Sequence, residues 1–209
     1  MALATVAILC VVLIVPVIFG VRPLWSYETG ASLRQVVLSS DGRYIAAASW
    51  DLTLYLFSSD NNNPLWKFSD GYHVWSVSIS SDGNYIAAGI GEKVYLFNYS
   101  SNSPLWSSSV DGDAYSVSIS SNGNYITVGT WNNKVYLFSR DSSTPLWSYT
   151  TENRIWSVAI SSDGSYIIVG SSDKKIYLFY YENQNPLWSY QTGGDVYSVS
   201  ISSNSSYIV

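Results

Sequence analysis

Groups able to do chemistry are few in this chain. His73 is its only histidine and Cys10 its only cysteine, in 209 residues. A two-histidine metal site, a thiolate metal site and an intrachain disulfide are therefore excluded. A Ser-His-Asp triad would have to use His73, which ends the loop segment Asp70-Gly71-Tyr72-His73 and reads as a solvated loop residue. Asp111 and Asp113 in VDGD offer two carboxylates, well short of the roughly six to eight oxygens that calcium takes. Asp41, Asp82 and Asp163 recur at one place in the chain's pattern, and Asn122 and Asn204 replace them in other copies. Asn turns a backbone as well as Asp but cannot ionise, so the position reads as turn chemistry. No catalytic residue, metal site or cofactor is expected.

Charge excludes a second class. The chain has 10 Lys and Arg against 15 Asp and Glu, a net charge of −5. Charged residues make up only 12% of it, against about 25% in an average domain. Apart from Lys174-Lys175 the cations stand singly. Nucleic acid requires a basic stripe to neutralise phosphates, and there is none.

The elements that must position these residues repeat. Pro-Leu-Trp begins at Pro23, Pro64, Pro104, Pro145 and Pro186, at spacings of 41, 40, 41 and 41. A fixed period of about forty residues marks a stacked repeat architecture. Each unit carries four strand signals. In the first, Trp75, Val77 and Ile79 alternate with Ser76, Ser78 and Ser80, the period of two that a strand requires. Asp82-Gly83 then supplies a tight turn, Tyr85–Ile90 the second strand and Val94–Phe97 the third. Pro104 opens the fourth, where proline costs no ladder bond. The serine face is too small and uncharged for a solvent-facing sheet, so it is expected to accept the large face of a neighbouring blade. Sheets stacked in this way around an axis form an all-β propeller of four-stranded antiparallel blades. Trp25, Trp66, Trp106, Trp147 and Trp188 are then expected to fill the gaps between blades.

These residues resemble a known family. SVSISSDGNYIAAG (Ser76–Gly89) followed by KVYLF (Lys93–Phe97) is similar to the WD-repeat unit, and the similarity extends over Pro23–Val209. Departures from it are specific. Where the family carries Trp-Asp, this chain has Phe57-Ser58, Phe97-Asn98, Phe138-Ser139 and Phe179-Tyr180, and the family's Gly-His pair is missing. Trp50-Asp51 matches the dipeptide but lies between the second and third strands. PLWSY with VYLF also resembles the repeats of quinoprotein (PQQ-type) propellers. That resemblance implies a cofactor enzyme or an assembly factor, with an adjacent cysteine pair and a calcium cluster, neither of which this sequence has.

Two segments follow from this reading. Residues 1–22 form a signal anchor, because residues 2–21 are twenty uncharged residues and a helix of that length spans a bilayer core of about 30 Å. The positive n-region and A-x-A site of a cleaved signal are absent. Residues 23–209 give four complete blades and the start of a fifth at Val196, an incomplete ring that reads as a fragment of a longer protein. Arg22 alone would keep the following domain in the cytoplasm. The sequons at Asn98 and Asn204 point instead to export and N-glycosylation, and an extracytoplasmic, single-pass protein is expected.

Comparison among the repeats separates scaffold from surface. The variable positions fall in two loop sets expected at one rim: Trp50, Asp51, Glu92, Trp131 and Lys174 between second and third strands, and Tyr72, His73, Asp113, Arg154 and Asp195 between fourth and first. The expected function is a membrane-anchored scaffold that binds a protein or glycan partner through this rim. A quinoprotein-like enzyme and a passive adhesive repeat protein are the alternatives.

Overall fold

The computed structural model describes residues 8–11, as backbone only, and 23–209. Strand β1 (Ile8–Val11) pairs with β2 (Trp25–Glu28). Four four-stranded antiparallel sheets follow. Blade 1 comprises β3 (Leu33–Leu38), β4 (Tyr44–Ser49), β5 (Leu54–Ser58) and β6 (Pro64–Phe68). Blade 2 is β7 (Val74–Ile79), β8 (Tyr85–Ile90), β9 (Lys93–Asn98) and β10 (Trp106–Ser109). Blade 3 is β11 (Ala114–Ile119), β12 (Tyr125–Thr130), β13 (Lys134–Ser139) and β14 (Trp147–Thr150). Blade 4 is β15 (Ile155–Ile160), β16 (Tyr166–Ser171), β17 (Lys175–Tyr180) and β18 (Trp188–Gln191). Beyond it, Ile201 and Ile208 form an isolated antiparallel bridge.

The expected anchor helix differs from what is described. Ile8–Val11 is a strand in register with β2, Val11 opposite Trp25 and Ile8 opposite Glu28. The remainder of residues 1–22 lies outside the described residues. Among the described residues no helix is long and apolar enough to cross a membrane. Val and Ile suit a strand as well as an apolar helix, because branching at Cβ favours the pleated backbone. The absence of charge does not distinguish the two.

Blades adhere through hydrogen bonds at three heights, each repeating with the sequence period. At the outer edge, Trp25, Trp66, Trp106 and Trp147 donate Nε1–H to the carbonyls of Ser59, Tyr99, Arg140 and Tyr181 at 2.7, 2.8, 2.6 and 2.7 Å. The same indoles pack on Phe57, Phe97, Phe138 and Phe179 of the next blade, with centroids 5.3–5.6 Å apart. These four phenylalanines are fully buried. They stand where the WD dipeptide would have its Trp, and a second indole there would compete for space that the Pro-Leu-Trp indole already fills.

At the inner edge the serines have a role other than the expected packing. Ser76, Ser116 and Ser157 Oγ accept the backbone N–H of Val117, Val158 and Val199 in the next blade, at 3.0–3.1 Å. Gln35 Oε1 does the same for Val77 N–H at 3.0 Å. The first strand of a blade has a free edge, and its N–H groups need acceptors once covered. At the turn end, Ser40, Ser81 and Ser121 N–H donate to the carbonyls of Ser81, Ser121 and Ser162. In blades 2 to 4 the Gly at that turn also lies under a tyrosine of the preceding blade; a Cβ on Gly83 (φ +73°) would come within 2.3 Å of the Tyr44 ring.

Candidate functional site

The inter-strand loops bring both variable loop sets to one rim by a repeating bond. Trp50, Gly91, Trp131 and Ser172 N–H each donate to a carbonyl of the loop entering the first strand of the same blade, those of Ser32, His73, Asp113 and Arg154, at 2.9–3.0 Å. Position by position the candidates differ in what they do there. Trp50, Tyr72 and Trp131 are exposed, as are Glu92, Lys174 and Asp195, while Asp113 and Arg154 are half-buried. Lys174 has φ +66° and Leu52 and Asn133 occupy the same left-handed region at φ +68° and +69°, so a hairpin bend is part of their role.

Several carboxylates of the rim are structural. Asp51 Oδ2 accepts Gly30 N–H at 2.8 Å and the Tyr55 hydroxyl at 2.7 Å, and its Oδ1 accepts Thr53 N–H. Asp173 repeats the pattern with Tyr177 OH at 2.7 Å and Glu152 N–H at 3.1 Å. Tyr95 OH donates to Asp70, and Tyr136 OH accepts Asp111 N–H at 3.1 Å. Burial and the adjoining carboxylates push the Tyr55, Tyr95 and Tyr177 hydroxyls well above the usual phenol range. The third-strand tyrosine is thus a post that fixes the rim loops from below. Its period in VYLF is legible in the sequence, but its carboxylate partner comes from a different loop in different blades.

Around the channel mouth a set of residues collects that the loop comparison does not reach. Arg34, Trp75, Tyr115, Trp156 and Tyr197 occupy one repeat position at the start of the first strand, with spacings of 41, 40, 41 and 41. A register shift next to this position, between Val74 and Ser76, and its equivalents in the other blades break the simple alternation. Trp75 meets Tyr115 at 5.6 Å, Tyr115 meets Trp156 at 5.5 Å, and Trp156 meets Tyr197 at 5.3 Å. Rim aromatics join from above. Trp50 stands edge-on to Trp75 at 5.4 Å and 81°, and Trp131 to Trp156 at 5.4 Å and 82°. His73 packs on Trp50 and Trp75 at 4.8 and 5.6 Å. At the equivalent place Arg154 lies 4.5 and 5.1 Å from Trp131 and Trp156. Arg34, Trp75, Tyr115 and Trp156 line a cavity of about 390 Å³, within the range of small-ligand sites. His73 is exposed, as expected of a loop residue, and its ring also packs on the rim aromatics.

The two sequons lie at the opposite end of the blades. Tyr99 N–H donates to Asn84 O there, tying the third-to-fourth loop to the first-to-second turn. Asn98 Oδ1 accepts Ser100 N–H at 3.1 Å, and Asn204 Oδ1 accepts Ser206 N–H at 3.2 Å and the Ser202 hydroxyl at 2.8 Å. Both side chains close turns in this structure. Among the described residues, no group of three or more His, Cys, Asp and Glu side chains could hold a metal ion.

Compared with known families, residues 22–58, 62–98, 105–139 and 143–179 match the WD domain, G-beta repeat. None of the curated proteins matches the chain.

Proposed function

The chain belongs to the WD-repeat family, whose propellers generally serve as protein-interaction scaffolds, and we propose that this one binds a protein partner through the loop rim and channel mouth, without a catalytic step. One observation carries the reading. Trp50, Tyr72 and Trp131 expose 40, 60 and 39% of their surface at a single rim, and exposed aromatics gathered in one place mark interfaces. The other aromatics of blades 1 to 3 are buried or half-buried, and the exposed Trp188 and Tyr190 lie on the last strand of blade 4, away from these three. His73, the only histidine, packs between Trp50 and Trp75, an arrangement suited to surface rigidity rather than proton transfer. The test is a comparison of the intact chain with Tyr72→Ser/Trp131→Ser in capture and cross-linking of a partner, with circular dichroism to verify folding. Undiminished cross-linking at the rim by the double variant would sink the proposal.

A second reading concerns location. Residues 2–21 carry no charge, which supports a membrane anchor with the propeller outside the cytoplasm, its sequon end turned away from the binding rim. A spanning helix would require Ile8–Val11 to leave β2. Release of the full chain from membranes by alkaline carbonate would argue against the anchor, and unglycosylated, protease-shielded material in intact cells against the outside location.

A further inference from the structure

Resting on the rim reading, we propose that the seam between blades 2 and 3 takes a lysine side chain of the partner, its ammonium among the carboxylates of Asp70, Glu92 and Asp113 and its alkyl stem along the Tyr72 ring. The three acidic residues and Tyr72 line one cavity of about 260 Å³. Backbone bonds tie their loops together at a single turn. Gly91 N–H donates to His73 O at 3.0 Å, Ala114 N–H to Gly91 O at 2.8 Å and Val110 N–H to Glu92 O at 2.9 Å. Asp70 Oδ1 accepts Tyr72 N–H at 3.3 Å, and Tyr72 packs so closely on Gly91 that a Cβ there would lie 3.0 Å from it. The loop before β7, the turn between β8 and β9 and the loop before β11 are thereby held around the same space.

The sister blades show what suits this space. Asp70, Asp111 and Glu152 share one repeat position and Lys93, Lys134 and Lys175 another, each at spacings of 41. In blades 3 and 4 the lysine reaches the carboxylate, Lys134 Nζ to Asp111 at 2.8 Å and Lys175 Nζ to Glu152 at 2.5 Å. Blade 2 does not make this pair. Its Asp70 accepts the Tyr95 hydroxyl instead, and Lys93 is exposed, without an ion pair among the described residues. The change leaves a second carboxylate idle. In blades 1 and 4 the third-strand tyrosine donates to Asp51 or Asp173, whose repeat position in blade 2 is Glu92. With Tyr95 turned to Asp70, Glu92 has neither a hydrogen bond nor an ion pair to its carboxylate among the described residues, and Asp113 has neither as well.

A bond from a neutral hydroxyl leaves Asp70 charged, so three carboxylates stand against one ammonium, that of Lys93. Charge of one sign in a cleft concentrates the opposite sign. Among the described residues no three acidic side chains are grouped to hold a metal ion; the charges surround a space and not a point. An ammonium with three rotatable donors on a flexible stem fits separated acceptors of this kind, and an aromatic face beside it adds to the attraction.

NMR titration of the full chain tests this with blocked pentapeptides Gly-Ser-X-Ser-Gly, X being lysine, norleucine, arginine or glutamate, and with calcium chloride. The lysine peptide is expected to shift the amides of Gly91, Glu92 and Asp113 saturably. Those of Asn132 and Asp173, beside lysines already in place, should stay still. Norleucine, which has an apolar stem and no ammonium, and glutamate should have no effect. Glu92→Gln/Asp113→Asn should weaken the lysine peptide by about tenfold, each exposed pair being worth a few-fold. Lys93→Ala, which removes the competing ammonium, should tighten it. Unmoved resonances of blades 1 and 4 verify that the variants fold. No shift at the three amides, an equal response to norleucine, or binding indifferent to the double variant overturns the proposal. Tighter binding of the arginine peptide would overturn it in favour of a guanidinium, and displacement by calcium in favour of a metal. A partner whose cross-link depends on Trp131 but not on Glu92 and Asp113 overturns the lysine site while leaving the rim. A cross-link that ignores Tyr72 and Trp131 overturns the rim reading itself.

Discussion

The repeated tryptophan offers a test in which one chain supplies both experiment and control. Trp147 is 8% exposed, donates Nε1–H to Tyr181 O at 2.7 Å and packs on Phe179 at 5.3 Å. Trp188 occupies the same repeat position, but is 42% exposed. No following third strand is among the described elements to meet it. Covering an indole removes about 150–250 Å² from water, worth roughly 4–6 kcal/mol at about 25 cal/mol per Å². The collapse of the site on truncation trims this, and measured Trp-to-Ala costs run about 3–5 kcal/mol. Trp147→Ala should therefore destabilise by about 4 kcal/mol. Trp188→Ala should cost about 1–2 kcal/mol, since nearly half of the ring is already in water. Trp147→Phe retains a ring but strands the Tyr181 carbonyl, for about 1–2 kcal/mol. Urea unfolding followed by circular dichroism separates these outcomes. With a slope of about 2 kcal/mol per molar, the midpoint should fall by about 2 M for Trp147→Ala and by under about 1 M for Trp188→Ala. Equal shifts for the two positions would refute the argument that the indole stabilises through the next blade.

Three further outcomes are expected. Ser76→Ala removes the acceptor of Val117 N–H, 3.0 Å away at a buried site, and should cost about 1–3 kcal/mol in the same urea assay; Ser78→Ala, whose bond to Ile119 N–H is longer at 3.2 Å, should cost less. Gly83→Ala should destabilise more than Gly42→Ala by thermal melting. Both have φ +73°, but a Cβ at Gly83 meets the Tyr44 ring at 2.3 Å and one at Gly42 meets nothing within 4 Å. Bonds from the Ser39 hydroxyl, the Arg43 backbone N–H and the Arg43 guanidinium hold the Asp41 carboxyl at about 2, and Asp82 and Asp163 are also lowered. Carboxylates lowered in the folded state stabilise above their unfolded value of about 3.9 and lose that contribution as pH falls toward about 2. Replacing all three with Asn, the residue at position 122, should flatten the loss of stability across that window; an unchanged acid limb would show that other groups govern it.

Blade number within the chain, strand order and turn positions were legible because they repeat in phase, and each Pro-Leu-Trp states the period again. The serines were legible as a face but not as a function. Alternation identifies which residues share a side of a strand, whereas the need of Val117 and Val158 N–H for an acceptor arises only when the strand's other edge is left without a partner strand. Trp75 was placed on one face with Val77 and Ile79, and the register shift beside it breaks that alternation. His73 was read as a solvated loop residue and is exposed, but its packing on Trp50 was not legible, because Trp50 lies 23 positions away in another blade. The apolar run at the N-terminus shows the limit of length as a signal: twenty uncharged residues satisfy a span, and Ile8–Val11 among them also satisfy a strand.

What distinguishes the rim from the scaffold is a failure of internal repetition with a physical consequence. Across the three seams that join blades 1 to 4, at the outer edge and at the turns, every donor that recurs finds an acceptor that recurs with it, the indole its carbonyl and the turn N–H its neighbour's carbonyl. At the mouth the donor recurs and the acceptor does not. Trp156 has Ser172, but Trp75 faces a repeat position reduced to Gly91, and that glycine in turn lets Tyr72 pack so closely that a Cβ would lie 3.0 Å from it. The two Trp pairs are otherwise superposable in distance and angle, and differ in carrying Arg154 over one and His73 over the other. A neutral drift of loops would scatter such differences over the rim. Here they fall on one repeat unit, remove one acceptor and open one exposed aromatic beside it, so blade 2 is the part of this ring least explained by folding and best suited to receive what folding leaves unmet.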